Sequence, residues 1–361
     1  MKKKKILVIC PYPENVAPSQ RLKFEQYYDH FRKAGYEVDI SPFISLPFWN
    51  IIYKKGHLLE KAFYTTLGYA KRIADLFRLR KYDIIYIHLW ATPFGPHFFE
   101  WMYRRIAKRI IYDIDDLVYL KNKNSSKNPI ALIMKGRTKP IFLIKESDHI
   151  ITCTPYLDEF VKKYNCNTTD ISSTVDTAKY KVVNRYSNEN KVTLGWSGSI
   201  STSRYFYILE DILKEIKKKH NVRILLIGNK DVKIGGLEIE AVDWSEENEM
   251  AYLQQIDIGL YPLPNEDWVY GKSGLKAIQY MALGIPTVAT ALGANHRVIE
   301  NGVSGFLVNT KEEWVSRLSE LITNESLRRE IGTNARKRVE ELFSVESNKT
   351  NYINIFTKLS K

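Results

Sequence analysis

The chain has 361 residues, 44% hydrophobic and 26% charged, so it has the composition of a folded protein and not of a disordered one. No apolar run approaches the roughly 18 residues of a membrane span, and three cysteines without paired spacing argue against a disulfide framework and a zinc site. The start, with four lysines before the short apolar run Ile6–Cys10, is interpreted as a basic lead-in to a first strand and not as a signal peptide. We therefore expect a cytoplasmic protein of about two domains.

The net charge of +13 is distributed unevenly. Residues 1–180 carry 30 basic and 18 acidic side chains, whereas residues 181–361 carry 24 and 23. A diffuse basic surface favours solubility, but the asymmetry indicates that the first half meets an anionic partner: a membrane surface, a phosphorylated acceptor or nucleic acid. No nucleic-acid-binding motif accompanies the charge, so we expect no nucleic acid.

Apolar runs alternate with helical patterns along the whole chain, and runs that are apolar throughout are typical of parallel strands. Strands are predicted at Lys5–Cys10, Tyr36–Ile40, Tyr82–His88, Arg109–Tyr112, His149–Cys153, Lys191–Trp196, Arg223–Ile227, Ile256–Tyr261 and Thr287–Ala289. The series is interrupted by a polar stretch near residues 184–190. We predict an α/β protein of two Rossmann-like, doubly wound domains, residues 1–183 and 184–346, followed by a helix over 347–361.

The strongest local pattern is the segment 271–286, which predicts a helix from Ser273 to Gly284 with Pro286 just beyond it. Unpaired N–H groups at a helix start, beside the cation of Lys272, are suited to a diphosphate. A capped surface helix with solvated lysines is the alternative interpretation.

A second pattern follows the strand at 191–196. Its small residues, from Gly198 to Ser203, let a phosphate approach the backbone, and the hydroxyls and Arg204 can donate hydrogen bonds to it. The loop lacks the Lys-Ser/Thr ending of a P-loop, which argues against an NTPase.

The order of these elements resembles the GT-B glycosyltransferases, especially the retaining group 1, or family 4, nucleotide-sugar enzymes. Their motif Glu-x7-Glu-Ala-Met-Ala-x-Gly-x-Pro is similar in its latter part to residues 279–286, and their Glu-x-Ile-x-x-Gly-x-x-Gly-Phe-Leu-Val segment to residues 299–308. Val175-Asp176 resembles their linker. The resemblance implies two domains facing a cleft, the first binding the acceptor and the second the nucleotide sugar, with helix 347–361 crossing back to the first.

This sequence departs from the motif at both glutamates, which fall on Gly271 and Gln279. We expect Gln279 to contact the ribose, and Glu266 or Asp267 to replace the first glutamate at the donor-sugar hydroxyls. The resemblance implies that Arg204 and Lys272 act in catalysis by stabilising the leaving diphosphate. The implied donor-binding residues are Gly198, Ser199, Thr202, Asn229, Glu266, Asp267, Ser273, Gly274, Leu275 and Gln279.

In the first domain the resemblance points to residues that follow strands. Asp115 stands where the family often has a histidine, and is expected to act in catalysis. Arg21, His88 and Asp116 are expected to contact the acceptor, although Arg21 as a solvated helix residue and His88 as a structural one are the alternatives. We expect no metal site and no cofactor other than the nucleotide-diphosphate sugar as co-substrate.

The function that this resemblance implies is sugar transfer from a nucleotide-diphosphate sugar to a glycan or lipid-linked acceptor. It further implies a metal-independent, hexosyltransferase-type enzyme of bacterial surface polysaccharide or glycolipid synthesis, acting with retention. Because both motif glutamates are absent, a non-catalytic binding protein with a degenerate glycosyltransferase fold is the alternative. A nucleotide-sugar 2-epimerase, which would alter the free donor without acceptor, is a further one.

Two basic and aromatic segments, residues 48–55 and 98–109, predict peripheral attachment to the inner face of an anionic membrane. The second segment places Phe98, Trp101 and Arg105 at helical spacing. The alternative is that Phe98, Trp101 and Met102 belong to the core.

Overall fold

The computed structural model describes residues 3–115, 117, 136, 138–183 and 191–360, and it divides the chain into two compact units. The first unit is Met1–Ser172 with Asn348–Lys361, and the second is Ser173–Ser347. The division falls earlier than residue 183 because the segment after Ser172 packs in the second unit. There Val175 forms a bridge with Ser344, and Tyr180 lies in the core.

The first unit contains a six-stranded parallel sheet in the order β2-β1-β3-β4-β5-β6. The strands are β1 (Lys4–Cys10), β2 (Tyr36–Pro42), β3 (Ile84–His88), β4 (Ile110–Asp113), β5 (His149–Thr152) and β6 (Thr168–Asp170). The five predicted strands are all present. The edge strand β6 was not predicted because its three residues, Thr-Thr-Asp, carry no apolar run.

The helices described in the first unit before β6 lie in the connections between its strands. They are α1 (Pro18–Arg21), α2 (Tyr28–Lys33), α3 (Leu46–Ile52), α4 (Leu58–Arg78), α5 (Phe98–Ile106), α6 (Lys139–Glu146) and α7 (Pro155–Lys162), with short 3₁₀ helices at Glu25–Tyr27 and Leu79–Lys81.

The second unit contains another six-stranded parallel sheet, in the order β12-β11-β10-β7-β8-β9. The strands are β7 (Val192–Ser197), β8 (Val222–Ile227), β9 (Glu240–Val242), β10 (Ile258–Tyr261), β11 (Thr287–Thr290) and β12 (Phe306–Val308). The four strands predicted here are present. The two edge strands β9 and β12, each three residues long, were too short to predict.

The helices of the second unit alternate with its strands. They are α8 (Glu210–Lys219), α9 (Glu246–Leu253), α10 (Leu275–Ala282), α11 (Asn295–Val298), α12 (Lys311–Thr323) and α13 (Glu325–Leu342), with 3₁₀ helices at Ile200–Leu209 and Asp267–Gly271. Residues 200–219 thus form a 3₁₀ helix in their first half and an α-helix in their second.

The last helix, α14 (Val345–Leu359), belongs to the first unit from Asn348 onward. The ring centroid of Tyr352, on this helix, lies 4.7 Å from that of Tyr27. The ring centroid of Phe356 lies 4.8 Å from that of Phe31. These buried aromatic contacts confirm that the end of the chain returns to the first unit.

Strand order reverses once in each sheet, between β1 and β3 in the first and between β7 and β10 in the second. In parallel sheets the loops that leave the carboxyl ends of the strands at such a reversal diverge and open a crevice, where ligands bind. A ligand is therefore expected to bind at the loops after β1 and β3 in the first unit, and at those after β7 and β10 in the second.

A buried ion pair lies at the carboxyl end of β4. Lys23 and Asp113 are 1% and 0% exposed and form a salt bridge, and the hydroxyl of Tyr86 also donates to Asp113. Burial alone would raise the pKa of the Asp113 carboxyl and lower that of the Lys23 ammonium, but each stabilises the charge of the other. The pKa of Asp113 is therefore held below its ordinary value and that of Lys23 above it.

Removing one partner leaves the other charge buried without compensation. We expect Asp113→Ala to lower the free energy of unfolding by about 3–5 kcal/mol, as measured by chemical denaturation. Asp29→Ala, which removes an exposed pair with Arg32, is the control and should change it by less than about 1 kcal/mol. Similar small losses in both variants would contradict this account.

Candidate functional site

The candidate site of the second unit includes α10, which contacts both β7 and β10. Its glycine cap, Gly274, adopts a left-handed conformation with φ of 77°, and the helix begins at Leu275. Tyr280 lies directly over Gly259 of β10, where an added Cβ would come within 2.5 Å of its ring. The Tyr280 hydroxyl accepts a hydrogen bond of 2.6 Å from the backbone N–H of Ser197, at the end of β7. Helix α10 and the end of β7 are thus joined by a direct hydrogen bond.

The two cations predicted to bind diphosphate are brought to one aromatic cluster. Arg204 lies over the ring of Tyr205 at 4.9 Å and donates to its hydroxyl at 2.8 Å. Tyr205 stacks on Trp268 at 5.3 Å, and Lys272 lies 5.4 Å from the Trp268 ring. Arg204 and Lys272 therefore lie at opposite ends of a stacked Tyr–Trp pair, beside the crevice between β7 and β10.

Two glycines set the shape of the backbone after β7 and β8. Gly228, with φ of 128°, approaches Gly198 so closely that an added Cβ would lie 1.9 Å from the Gly198 carbonyl oxygen. An added Cβ at Gly198 would in turn meet the ring of Trp196 at 2.0 Å. No other residue type fits at either position without displacement of the backbone or of Trp196.

Polar groups surround this glycine contact. Ser199 and Thr202 form a reciprocal capping box at the start of the 3₁₀ helix, with the Ser199 N–H donating to the Thr202 hydroxyl at 2.9 Å. Asn229 donates to the hydroxyl of Ser203 at 3.1 Å. The predicted donor-binding residues of these two loops are thus gathered at one place, with their hydroxyls engaged in local hydrogen bonds.

The loop before α10 gives the other predicted donor contacts. Glu266 and Asp267 are exposed, and Glu266 accepts a hydrogen bond from the indole N–H of Trp268. The hydroxyl of Ser273 lies 2.7 Å from that of Ser173. Replacement of the first motif glutamate by Glu266 or Asp267 stays a prediction.

Gln279 lies in a different environment from the one expected. It is 5% exposed, and its amide donates to the Tyr180 hydroxyl at 2.8 Å and to the Glu249 carboxylate at 3.3 Å. In the described conformation it is a buried scaffold residue, since both bonds hold its amide inside the unit. The ribose contact stays a prediction.

Glu249 is the residue that sequence reasoning missed. It is 8% exposed on α9, and it places a carboxylate beside the position where the resemblance expects the second glutamate. Lys276, on α10, lies 5.4 Å from the Trp196 ring, and burial lowers its pKa to about 8, although the charge of Glu249 acts in the opposite direction. Glu249 was overlooked because it follows Glu246 and Glu247, and acidic residues are common at a helix start for reasons unrelated to function.

In the first unit the loop after β1 is held by buried polar side chains. Gln20 accepts from the Tyr12 N–H at 2.9 Å and donates to Glu25 at 2.8 Å. The other oxygen of Glu25 accepts from the Asn15 N–H at 2.9 Å. Arg21, half-buried at the end of α1, is placed by this arrangement at the β1–β3 crevice, where an acceptor contact stays a prediction.

His88 is at odds with the acceptor contact that was predicted for it. It is fully buried, its ring lies 4.9 Å from that of Phe24, and its Nδ1 lies 3.6 Å from Asp113. The structural alternative fits this placement, because a side chain enclosed in the core cannot reach an acceptor in the described conformation. Asp115 is half-buried, and its carbonyl accepts from the Cys153 thiol at 3.1 Å. Asp116 lies outside the described residues.

Among the residues that the structure describes, no cluster of three or more histidine, cysteine, aspartate or glutamate side chains is placed to hold a metal ion. No helix in the same described part of the chain combines the length and the apolar character needed to cross a membrane.

Comparison with known families gives a match over most of the second unit. Residues 191–324 match the model of the family described as Glycosyl transferases group 1. The chain is therefore similar to this family over this segment. The segment contains both loops of the β7–β10 crevice and all of α10, so the match and the candidate site coincide.

Two curated relatives agree with this match. The capsular polysaccharide biosynthesis glycosyltransferase CapM of Staphylococcus aureus is 26% identical over 168 residues, 44% of this chain and 43% of that protein. Glycosyltransferase 1 domain-containing protein 1 of Xenopus tropicalis is 27% identical over 160 residues, 42% of this chain and 46% of that protein. The chain thus spans less than half the length of the curated relatives that it matches.

Solved structures show that the likeness of fold extends over the whole chain. A sucrose-phosphate synthase from Thermosynechococcus elongatus aligns with a TM-score of 0.74 at 16% identity, over 99% of each chain. A glycosyltransferase from Rickettsia africae aligns at 0.72 and 14%, over 100% of each. HepE of Anabaena, solved with UDP-glucose, aligns at 0.69 and 16%, over 98% of this chain and 99% of that one. The GT-B fold class predicted from the sequence is confirmed.

The aromatic cluster generates a prediction for Arg204 and Lys272. If these cations stabilise a leaving diphosphate, Arg204→Ala and Lys272→Ala should each lower sugar turnover by about 10²–10³, measured as nucleoside diphosphate release with acceptor present. Lys214→Ala, which removes a cation paired with Glu210 on α8, is the matched control and should keep wild-type activity. Near wild-type turnover in both single variants would end the assignment.

A further prediction concerns the carboxylate of Glu249, which lies beside Gln279. Glu249→Gln keeps the shape of the side chain and removes its charge, so we expect donor affinity to fall about 10-fold or more, measured by calorimetry. A hydrogen bond to a charged group contributes about 1.5–3 kcal/mol. Glu247→Gln, an exposed change two residues away on the same helix, should leave affinity unchanged. Wild-type affinity in Glu249→Gln would make Glu249 a structural residue only.

Proposed function

We propose that this protein is a glycosyltransferase that moves a sugar from a nucleotide-diphosphate sugar to a glycan or lipid-linked acceptor. The observation that carries the proposal is the position of Arg204 and Lys272. Both lie in the segment that matches the Glycosyl transferases group 1 model and at the strand-order reversal of its sheet, at the two ends of one aromatic cluster. In this proposal the second unit binds the donor and the first binds the acceptor.

The chemistry follows from where charge develops. Breaking the bond between the anomeric carbon and the diphosphate leaves negative charge on the leaving group and positive charge on the sugar ring. Arg204, Lys272 and the N–H groups at the start of α10 would stabilise the diphosphate, since the first-turn N–H groups of a helix have no partners within the helix. A strong nucleophile on the protein is not needed for this step. Asp115 of the first unit is the proposed additional catalytic residue.

Donor recognition must differ from that of the family because Gly271 offers only its backbone where the family has a glutamate. We propose that Glu249, beside Gln279, supplies the carboxylate near the ribose. The sugar hydroxyls are then left to Glu266, Asp267 and the backbone of residues 271–274. HepE, a structure of the same fold, was solved with UDP-glucose, which makes UDP-sugars the first donors to test.

The acceptor and the pathway are proposed from the relatives. CapM is named for capsular polysaccharide biosynthesis, so a bacterial surface glycan is the proposed product class. Transfer with retention, hexosyl specificity and independence from metal ions complete the proposal, and they rest on the family resemblance. We also propose a cytoplasmic protein that associates peripherally with an anionic membrane surface, on the strength of the net charge of +12 in residues 1–180.

One observation favours a second candidate, a non-catalytic binding protein of the same fold. Both motif glutamates are absent, and Gln279 is buried in the scaffold. Such a protein would bind nucleotide sugars without turning them over.

A thermal-shift screen of nucleotides and nucleotide sugars, followed by a turnover assay, tests the proposal. A true donor at 100 times its dissociation constant should stabilise the protein by about 2.7 kcal/mol. The same donor should then release its nucleoside diphosphate, slowly in water and faster with acceptor. Stabilisation without any release would support the binding protein, and no stabilisation by any nucleotide sugar would contradict both candidates.

A further inference from the structure

Helix α4 of the first unit has an apolar face on its solvent side. Between residues 62 and 77 its exposed positions carry no charge; they are Ala62, Phe63, Thr66, Leu67, Ala70, Ile73, Ala74 and Phe77. Leu59 extends the same stripe toward the N-terminus, and Leu59 and Phe77 are 87% and 85% exposed. A surface helix ordinarily presents charged residues to solvent and apolar ones to the core. Here the solvent side carries no charge for about 21 Å, from Phe63 to Phe77, and the exposed Glu60 lies beside Leu59 at its N-terminal end.

The opposite side of α4 is anchored, so the helix cannot rotate to bury this stripe. Gly68 packs on Phe43 so tightly that an added Cβ would lie 2.6 Å from its ring. Arg72 is fully buried and donates to the Ala91 carbonyl at 2.6 Å and to the Cys10 carbonyl at 3.0 Å. Asp75, also buried, accepts from Arg72 and from Ser41. The exposure of the stripe is therefore a fixed feature of the fold.

Neighbouring elements extend the apolar surface. Tyr69 joins α4 to the segment before α5, since its hydroxyl donates to the Phe94 carbonyl at 3.0 Å and its ring lies 5.9 Å from that of Phe99. On α5, Phe98 and Trp101 are 55% and 41% exposed, so they do not belong to the core. Phe48, in the other predicted membrane segment, is buried. The structure thus keeps part of the surface predicted from residues 98–109 and adds α4 as its longest element.

The charge around the apolar stripe favours an anionic bilayer over a second copy of this chain as its partner. Residues 45–81 carry eight basic and two acidic side chains, and one of each, the paired Arg72 and Asp75, is buried. Exposed cations lie at both ends of α4, with Lys54 and Lys55 before it and Arg80 and Lys81 after it. A second copy paired along this stripe, in either direction, would bring basic ends against basic ends. An anionic bilayer would attract both ends and receive the apolar side chains between them.

We propose that the α4 face, defined as Leu59, Phe63, Leu67, Ile73 and Phe77, is the surface by which this protein inserts into the interface of an anionic membrane. This inference rests on the proposed peripheral association and names the residues responsible for it. It does not depend on the identity of the donor or on turnover. Lys54, Lys55, Arg80 and Lys81 would lie at the level of the lipid phosphates.

The test is cosedimentation of the full chain with phosphatidylglycerol and with phosphatidylcholine vesicles. We expect the wild type to bind the anionic vesicles, more weakly as salt rises, and to bind the neutral ones at least 10-fold more weakly. Phe63→Glu with Phe77→Glu should weaken binding to anionic vesicles at least 10-fold. Val303→Glu with Leu342→Glu, a matched change of two exposed apolar residues in the second unit, should bind as the wild type does.

Companion measurements on the same samples separate the outcomes. Unchanged circular dichroism and an unchanged thermal shift with donor would show that the Phe63/Phe77 variant is folded and that its donor site is intact. Binding by the wild type that persists in this variant would overturn the α4 face while leaving peripheral association standing. Failure of the wild type to bind anionic vesicles would overturn both, without bearing on turnover. A wild-type dimer that the variant converts to a monomer, seen by light scattering, would assign the face to a second copy instead.

Discussion

The hydrogen bond between the Tyr280 hydroxyl and the Ser197 N–H is the contact on which the second unit's site depends. It joins the end of β7 to the second turn of α10, two elements that are far apart in sequence. The bond is possible only because Gly259 has no side chain, so that Tyr280 can lie against β10 and extend to the end of β7. Burial raises the pKa of the Tyr280 hydroxyl, which therefore stays neutral and keeps its hydrogen-bonding role at any physiological pH. Arg204 follows the end of β7 in the chain, and Lys272 precedes α10, so each lies next to one of the two joined elements.

The contact of α10 with β7 and β10 is made by Tyr280 and by backbone groups. The side chains that face the crevice can therefore change without disturbing it. The diphosphate can be held by helix N–H groups and two cations, and neither feature needs the motif glutamates. Those glutamates serve hydroxyl groups of the donor, where a carboxylate from a neighbouring helix can act if it reaches the same place. Glu249, 3.3 Å from the Gln279 amide, lies beside the position that corresponds to the second motif glutamate, and is the proposed source of that carboxylate. Loss of the motif residues is therefore compatible with the proposed transfer reaction.

The fold was predictable because its strands are continuous apolar runs and its final helix follows the last domain. The strands that were not predicted, β6, β9 and β12, are three-residue edge strands whose pairing is decided by their neighbours and not by their own composition. In the candidate site, Arg204 and Lys272 were proposed because each lies beside small residues at a helix start, and their role stays a prediction. The sequence left the burial of His88 open as an alternative and did not predict that of Gln279, since a residue that ends a strand or lies on a helix can face inward or outward. Glu249 required knowledge of which helix packs beside α10, and that is tertiary information.

The orientation of helix α4 is also decided by tertiary contacts and not by its own sequence. The apolar spacing of its sequence does not decide whether the side with Leu59, Phe63 and Phe77 faces the core or solvent. That side faces solvent because Arg72 and Asp75 are satisfied inside the unit by Ser41 and by the carbonyls of Cys10 and Ala91. A buried Arg–Asp pair is costly unless its hydrogen bonds are completed, and here they are. The buried polar network thus turns the apolar side of α4 outward, and the basic ends of the helix are the reason that an anionic surface is the partner proposed for that side.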